Sequence, residues 1–203
     1  MYCDVNDEKS NQKFISFDDY SVSERIYSYD EAIKLQEVFS DQGFFVDESI
    51  AQAISELNRK GYITKYCCSG HLFKDRQPIR VEEKKEILEL LPKRKEHLIP
   101  KKGYIEISED DEKYTFLYNG ACSMAYVAFA EGVEIDSIPE GFYLDSEEST
   151  YVIRAEVECC IDEGSGPRFI SDDEAREGLR QISRNLQEWA NTLPYKKTAS
   201  VRK

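Results

Sequence analysis

The chain has 203 residues, 40% hydrophobic and 33% charged, with 13 Tyr and 10 Phe. That excludes the aromatic-poor composition of a disordered chain and predicts one well-cored domain spanning 1–203. The formal net charge of −13, from 40 acidic and 27 basic residues, repels phosphate backbones and anionic membranes. Nucleic acid is therefore disfavoured as a partner. The basic stretches, Lys84 to Lys102 and the tail with Lys196, Lys197, Arg202 and Lys203, carry no interleaved stacking aromatics and read as solvated faces. With no leader-like opening and no apolar run near the ~20 residues that span a bilayer, the expectation is a cytoplasmic protein with no membrane partner. Six cysteines are then expected as thiols or metal ligands, not as a disulfide framework.

Residues 1–26 show no sustained period and read as a loosely held N-terminal arm with one short strand near Phe14 to Phe17. Ser28 and Glu31 form a capping box, with Ala32, Leu35 and Phe39 on one stripe and Gly43 as the stop, which predicts a helix over 29–41. Asp47 is suited to cap a second helix, whose Ile50, Ala53, Ile54 and Leu57 recur at helical spacing until Gly61 provides a left-handed exit. The β-branched and aromatic "YITKY" that follows predicts a strand.

A helix over 82–91 ends at Pro92, and 104–108 with 114–118 read as an antiparallel hairpin. "MAYVAFA" at 124–130 and "STYVIRAEVECC" at 149–160 are further strands, separated by a turn at "IPEGFYLD". In the second of these, Tyr151, Ile153, Ala155, Val157 and Cys159 alternate onto an apolar face. Ser171 and Glu174 form another capping box. Leu179, Ile182, Leu186, Trp189 and Leu193 then mark one face of a helix ending at Pro194, with 195–203 as a flexible tail. Several strand connections are too short for a parallel crossover, so the fold class is α+β: a mixed or mainly antiparallel sheet with helices packed on one side.

The chemistry-bearing stretch is "GYITKYCCSGH", residues 61–71. Adjacent cysteines in a strand point to opposite faces, so Cys68 with His71 is the better working pair and Cys67 the better core residue. Three readings follow. Cys68 is a candidate catalytic nucleophile, its thiol pKa lowered by His71 or a helix N-terminus. Ser69 and Gly70 are candidates for an anion-binding nest of backbone N–H groups, with Cys67 beside them. Cys67, Cys68 and His71 supply two or three ligands of a metal site, which needs further donors from Cys122, Cys159, Cys160 or an acidic side chain, with no CxxC in the chain. Because no complete ligand signature is present, no metal ligand is assigned and the cofactor stays unknown. His97, among charged neighbours, reads as a solvated helix end.

"AISELNRKGYITKYCCSGH" resembles the signature stretch of the tRNA wybutosine-synthesising protein 3 family. It is still more similar to a set of bacterial and phage proteins with an "LNxKGYxTxYxCSGH" core, an "AYIxF" strand and an "LPxGF" turn. The matching residues are Leu57, Asn58, Lys60, Gly61, Tyr62, Thr64, Tyr66, Cys68, Ser69, Gly70 and His71, then Ala125, Tyr126, Val127, Phe129, Ile138, Pro139, Gly141 and Phe142. On this resemblance, 72–122 is an insertion into the core, which loop-closure entropy tolerates. The wybutosine family implies an α/β fold and a methyltransferase-like activity that uses S-adenosylmethionine on tRNA. The chain departs from that family at Tyr66, Cys67 and His71, and its net charge suits tRNA poorly. What carries over is the loop as a site and not the substrate; the expectation for the loop is a small anionic or nucleoside-like ligand, with Cys68 and His71 as the working residues. The alternative is a non-catalytic module whose acidic surface meets a protein partner.

Overall fold

The computed structural model describes residues 9–72, 105–106, 115–116, 121–147, 150–158, 160–162 and 167–196. The chain is α+β, and every strand pairing among the described residues is antiparallel.

Strand β1 (Gln12–Ser16) pairs with β2 (Gly43–Asp47) in register Gln12↔Asp47 to Ser16↔Gly43. Strand β1 overlaps the short strand expected near Phe14 to Phe17, and it is held more firmly than the loose arm expected around it: Ile15 is fully buried, and Gln12 is locked by backbone bonds in both directions with Tyr27. Strand β2 was not foreseen. Gly43, expected as a helix stop, opens it because a Cβ there would lie 2.1 Å from the Ile15 carbonyl oxygen.

Between these strands, the Ser28–Glu31 capping box starts helix α1 (Tyr29–Gln36). This helix ends before residue 41, since residues 37–42 turn to feed β2. A 3-10 turn, Glu48–Ile50, leads into α2 (Ala51–Arg59), which buries Ala53, Ile54 and Leu57 as their spacing required. Gly61 leaves α2 at φ +88°.

Strand β3 (Thr64–Cys68) sits about two residues beyond the predicted "YITKY" and so includes both cysteines. The hairpin expected at 104–118 is described only as β4 (Ile105–Glu106) paired with β5 (Thr115–Phe116). The helix expected over 82–91 lies outside the described residues, as do His97 and most of the 72–122 segment.

The main sheet runs β3–β6–β8–β7, with β6 at Ala121–Phe129, β7 at Tyr143–Glu147 and β8 at Thr150–Glu158. Ile153, Ala155 and Val157 are buried on the alternation read from sequence. A short hairpin of β9 (Cys160–Asp162) and β10 (Pro167–Phe169) follows. The second capping box, Ser171 with Glu174, begins α3 (Asp172–Thr192).

Helices α2 and α3 pack against each other, and α3 lies on β6 and β8. Trp189 meets Phe129 edge-on at 6.5 Å between ring centroids, a favoured aromatic arrangement. The buried apolar residues form one cluster that joins Ile15 and Val46 of the β1–β2 hairpin to the main sheet and both helices. Among the described residues, no helix is long and apolar enough to cross a membrane.

Candidate metal centre

The candidate site forms where the ends of two strands from different sheets meet. In β3, Cys67 lies opposite Val127 and Cys68 opposite Tyr126. Pleating therefore sends the two sulfurs to opposite faces. Cys67 joins the core, where burial first and the Asp47 carboxylate second push its thiol far above the ordinary range. That environment disfavours the thiolate, and Cys67 packs among the buried residues of the core. Neither Cys67 nor Cys68 is in a disulfide.

After Cys68 the chain turns sharply through Ser69 and Gly70, and the turn is wedged between β6 and α3. Gly70 adopts φ +89°, and a Cβ there would lie 2.6 Å from Leu179 Cδ2, 2.8 Å from Ser123 Oγ and 3.3 Å from the Met124 carbonyl carbon. Only glycine fits, both by backbone conformation and by space. This turn carries His71 back over the strand end. Ser69, His71 and Leu72 are all buried.

The remaining member is Asp47, at the end of β2. Its expected role as a helix cap is not realised: it precedes the 3-10 turn, but its side chain makes no capping hydrogen bond. The carboxylate points instead into the space beside the loop and is 1% exposed. Asp47 Oδ1 accepts from Ser10 Oγ and, at 2.6 Å, from Gln12 Nε2. Asp47 Oδ2 accepts the Ser69 backbone N–H at 2.7 Å and faces His71 Nε2 at 3.9 Å.

A ligand atom each from Asp47, Cys68 and His71 therefore lies within 4.8 Å of the others, and all three residues are buried. The His71 Nε2 is buried without a hydrogen bond among the described residues. An unsatisfied polar atom of that kind costs roughly 1–3 kcal/mol in desolvation. The Gly70 backbone N–H donates to Cys68 Sγ at 3.4 Å.

The structure thus sorts the candidates. Cys68 and His71 are brought together, and Cys67 is turned away. The Ser69 and Gly70 amides, read from sequence as an anion-binding nest, already donate inward to Asp47 and Cys68, and the adjacent Asp47 carboxylate opposes an anion there. The side chains of Cys122, Cys159 and Cys160, considered as further ligands, lie outside the described residues. Asp47 was missed as a site residue. Its one signal is an acid closing the apolar run "GFFVD", which is equally the signature of a helix cap.

Fold and site together define an antiparallel α+β protein with a buried Asp–Cys–His cluster. Compared with protein families, curated proteins and solved structures, the chain matches none. The resemblance therefore stands on the matching residues of 57–71, 125–129 and 138–142 alone.

Proposed function

We propose that Asp47, Cys68 and His71 bind one divalent transition-metal ion, with zinc as the best fit, and that the ion ties the β1–β2 hairpin to the main sheet. The observation that carries this reading is the convergence of three buried donors of different chemistry, one of them an imidazole nitrogen without a hydrogen bond among the described residues. A thiolate, an imidazole and a carboxylate form a borderline-soft set that suits zinc. Magnesium and calcium prefer oxygen throughout. Zinc bonds of about 2.0–2.3 Å set tetrahedral ligand atoms roughly 3.3–3.6 Å apart. The 3.9 Å between Asp47 Oδ2 and His71 Nε2 is within a small side-chain adjustment of that spacing.

At 3.9 Å, Asp47 Oδ2 and His71 Nε2 do not hydrogen-bond each other directly. A metal ion between them would satisfy both groups and offset the buried carboxylate charge.

The test is titration of chelator-stripped protein with Zn²⁺ against a competing chromophoric chelator. One equivalent is expected to bind, and Co²⁺ is expected to give a sulfur-to-metal charge-transfer band that disappears in Cys68→Ser. His71→Asn and Asp47→Asn are each expected to weaken binding strongly. Absence of stoichiometric binding by the unmodified protein, or a cobalt spectrum unchanged in Cys68→Ser, overturns the proposal.

A further inference from the structure

Resting on the metal reading above, we infer that Gln12 is a positioning residue of the same site: it holds one oxygen of Asp47 so that the other is presented to the ion. Gln12 lies directly opposite Asp47 in the β1–β2 ladder, and at 2% exposure it is among the most deeply buried polar side chains described. Its amide donates to Asp47 Oδ1 at 2.6 Å, and the same nitrogen lies 3.3 Å from both Ser10 Oγ and the Ser10 carbonyl oxygen. The Gln12 backbone is pinned by its N–H to the Tyr27 carbonyl at 2.8 Å and its carbonyl to the Tyr27 N–H at 2.9 Å. The side chain therefore projects from a fixed base.

A buried amide at this position is costly unless its bonds are made, and an aliphatic residue would serve packing better. What the amide supplies is direction. Two donors, Gln12 and Ser10, converge on Oδ1, while Oδ2 faces Ser69 N–H and His71 Nε2. With Oδ1 engaged, the carboxylate cannot turn to chelate through both oxygens, so Asp47 offers a single oxygen. Single-oxygen ligation suits four-coordinate zinc better than the larger shells of calcium. By this arrangement β1 becomes part of the metal site.

Gln12→Met keeps the length and removes the donor. Loss of such an outer partner lowers metal affinity about 10- to 100-fold, and the visible Co²⁺ bands are expected to shift as the carboxylate reorients. Ile15→Val, in the same strand but fully buried in the core, is the control for plain destabilisation and is expected to leave both readouts unchanged. Ser10→Ala, which acts on the same Asp47 oxygen, is expected to give a smaller loss and carries the test if Gln12→Met does not fold. Unaltered zinc affinity and an unaltered cobalt spectrum in Gln12→Met, or in Ser10→Ala where that carries the test, overturn the inference while leaving the metal site standing. An equal loss in Ile15→Val overturns it as well. Failure of the unmodified protein to bind zinc overturns the metal reading itself, and this inference with it.

Discussion

Replacing Gly70 by alanine tests whether the loop is held as tightly as its geometry requires. Two effects add. The φ of +89° disfavours any residue with a Cβ, by about 1–2 kcal/mol. The new methyl group would also press on Leu179 Cδ2, Ser123 Oγ and the Met124 backbone. Leu179 can move its flexible end, but the β6 backbone cannot yield without disturbing the sheet, and overpacking of this kind costs about 1–3 kcal/mol. The sum is about 2–5 kcal/mol. At about 2–4 °C per kcal/mol for a chain of this size, Gly70→Ala should lower the Tm by roughly 4–20 °C. Gly132 is the internal reference, because it has a similar φ of +79° and nothing within 4 Å of its would-be Cβ. Gly132→Ala carries only the conformational part, about 1–2 kcal/mol. Both variants would be melted by circular dichroism in the presence of chelator, so that metal affinity does not enter. Equal losses in the two variants would refute the claim that the CSGH turn is wedged against β6 and α3.

Two further outcomes follow from other parts of the fold. Lys60 Nζ donates to the Ala190 and Asn191 carbonyls at 2.9 and 2.8 Å and lies 3.1 Å from Glu56 Oε1, a cation placed at the C-terminal end of α3. Lys60→Met should destabilise by about 1–3 kcal/mol in chemical denaturation, since it takes a charged donor from the Ala190 and Asn191 carbonyls while Glu56 keeps its pairing with Arg59; a loss below about 0.5 kcal/mol, the scale of an ordinary surface change, would show that Lys60 only covers the surface. The Tyr143 phenol is pushed up to about 12 by partial burial and then by its 2.6 Å bond to Glu156. A raised folded-state pKa means that its stabilising effect is complete below pH 10.0, the ordinary value, and is lost as pH rises towards about 12. Phenolate absorbance of the protein minus that of Tyr143→Phe should resolve this late titration, with Glu156→Gln bringing it closer to the ordinary value. A Tyr143 that titrates with the bulk of the tyrosines contradicts the assignment.

Much of the fold was written locally. Both capping boxes form, because Ser28 with Glu31 and Ser171 with Glu174 satisfy each other's backbone donors within a single turn. The alternation of Ile153, Ala155 and Val157 placed the apolar face of β8, and the spacing of α3 placed Trp189 on the sheet. Strand pleating alone put Cys67 and Cys68 on opposite faces of β3. Local patterns misled where two structures share one signal: an acid ahead of a helical stripe suits a cap, and a glycine after a helix suits a stop. Asp47 and Gly43 were read in that way, and with them β2 was missed.

The sequence by itself determined the three described helices, most of the described strands and an α+β fold with a mixed or mainly antiparallel sheet. Only tertiary structure decided what the CSGH loop faces. Asp47 stands 22 residues from Ser69 and 35 from Gln12 along the chain, and no periodicity links positions so far apart. Their meeting depends on how the β1–β2 hairpin docks on the main sheet through Ile15 and Val46. Apolar burial drives that docking and is indifferent to which polar groups it brings together. For that reason Cys68 and His71 were legible as a pair, whereas the carboxylate between them, and the glutamine that orients it, became visible only in the folded chain.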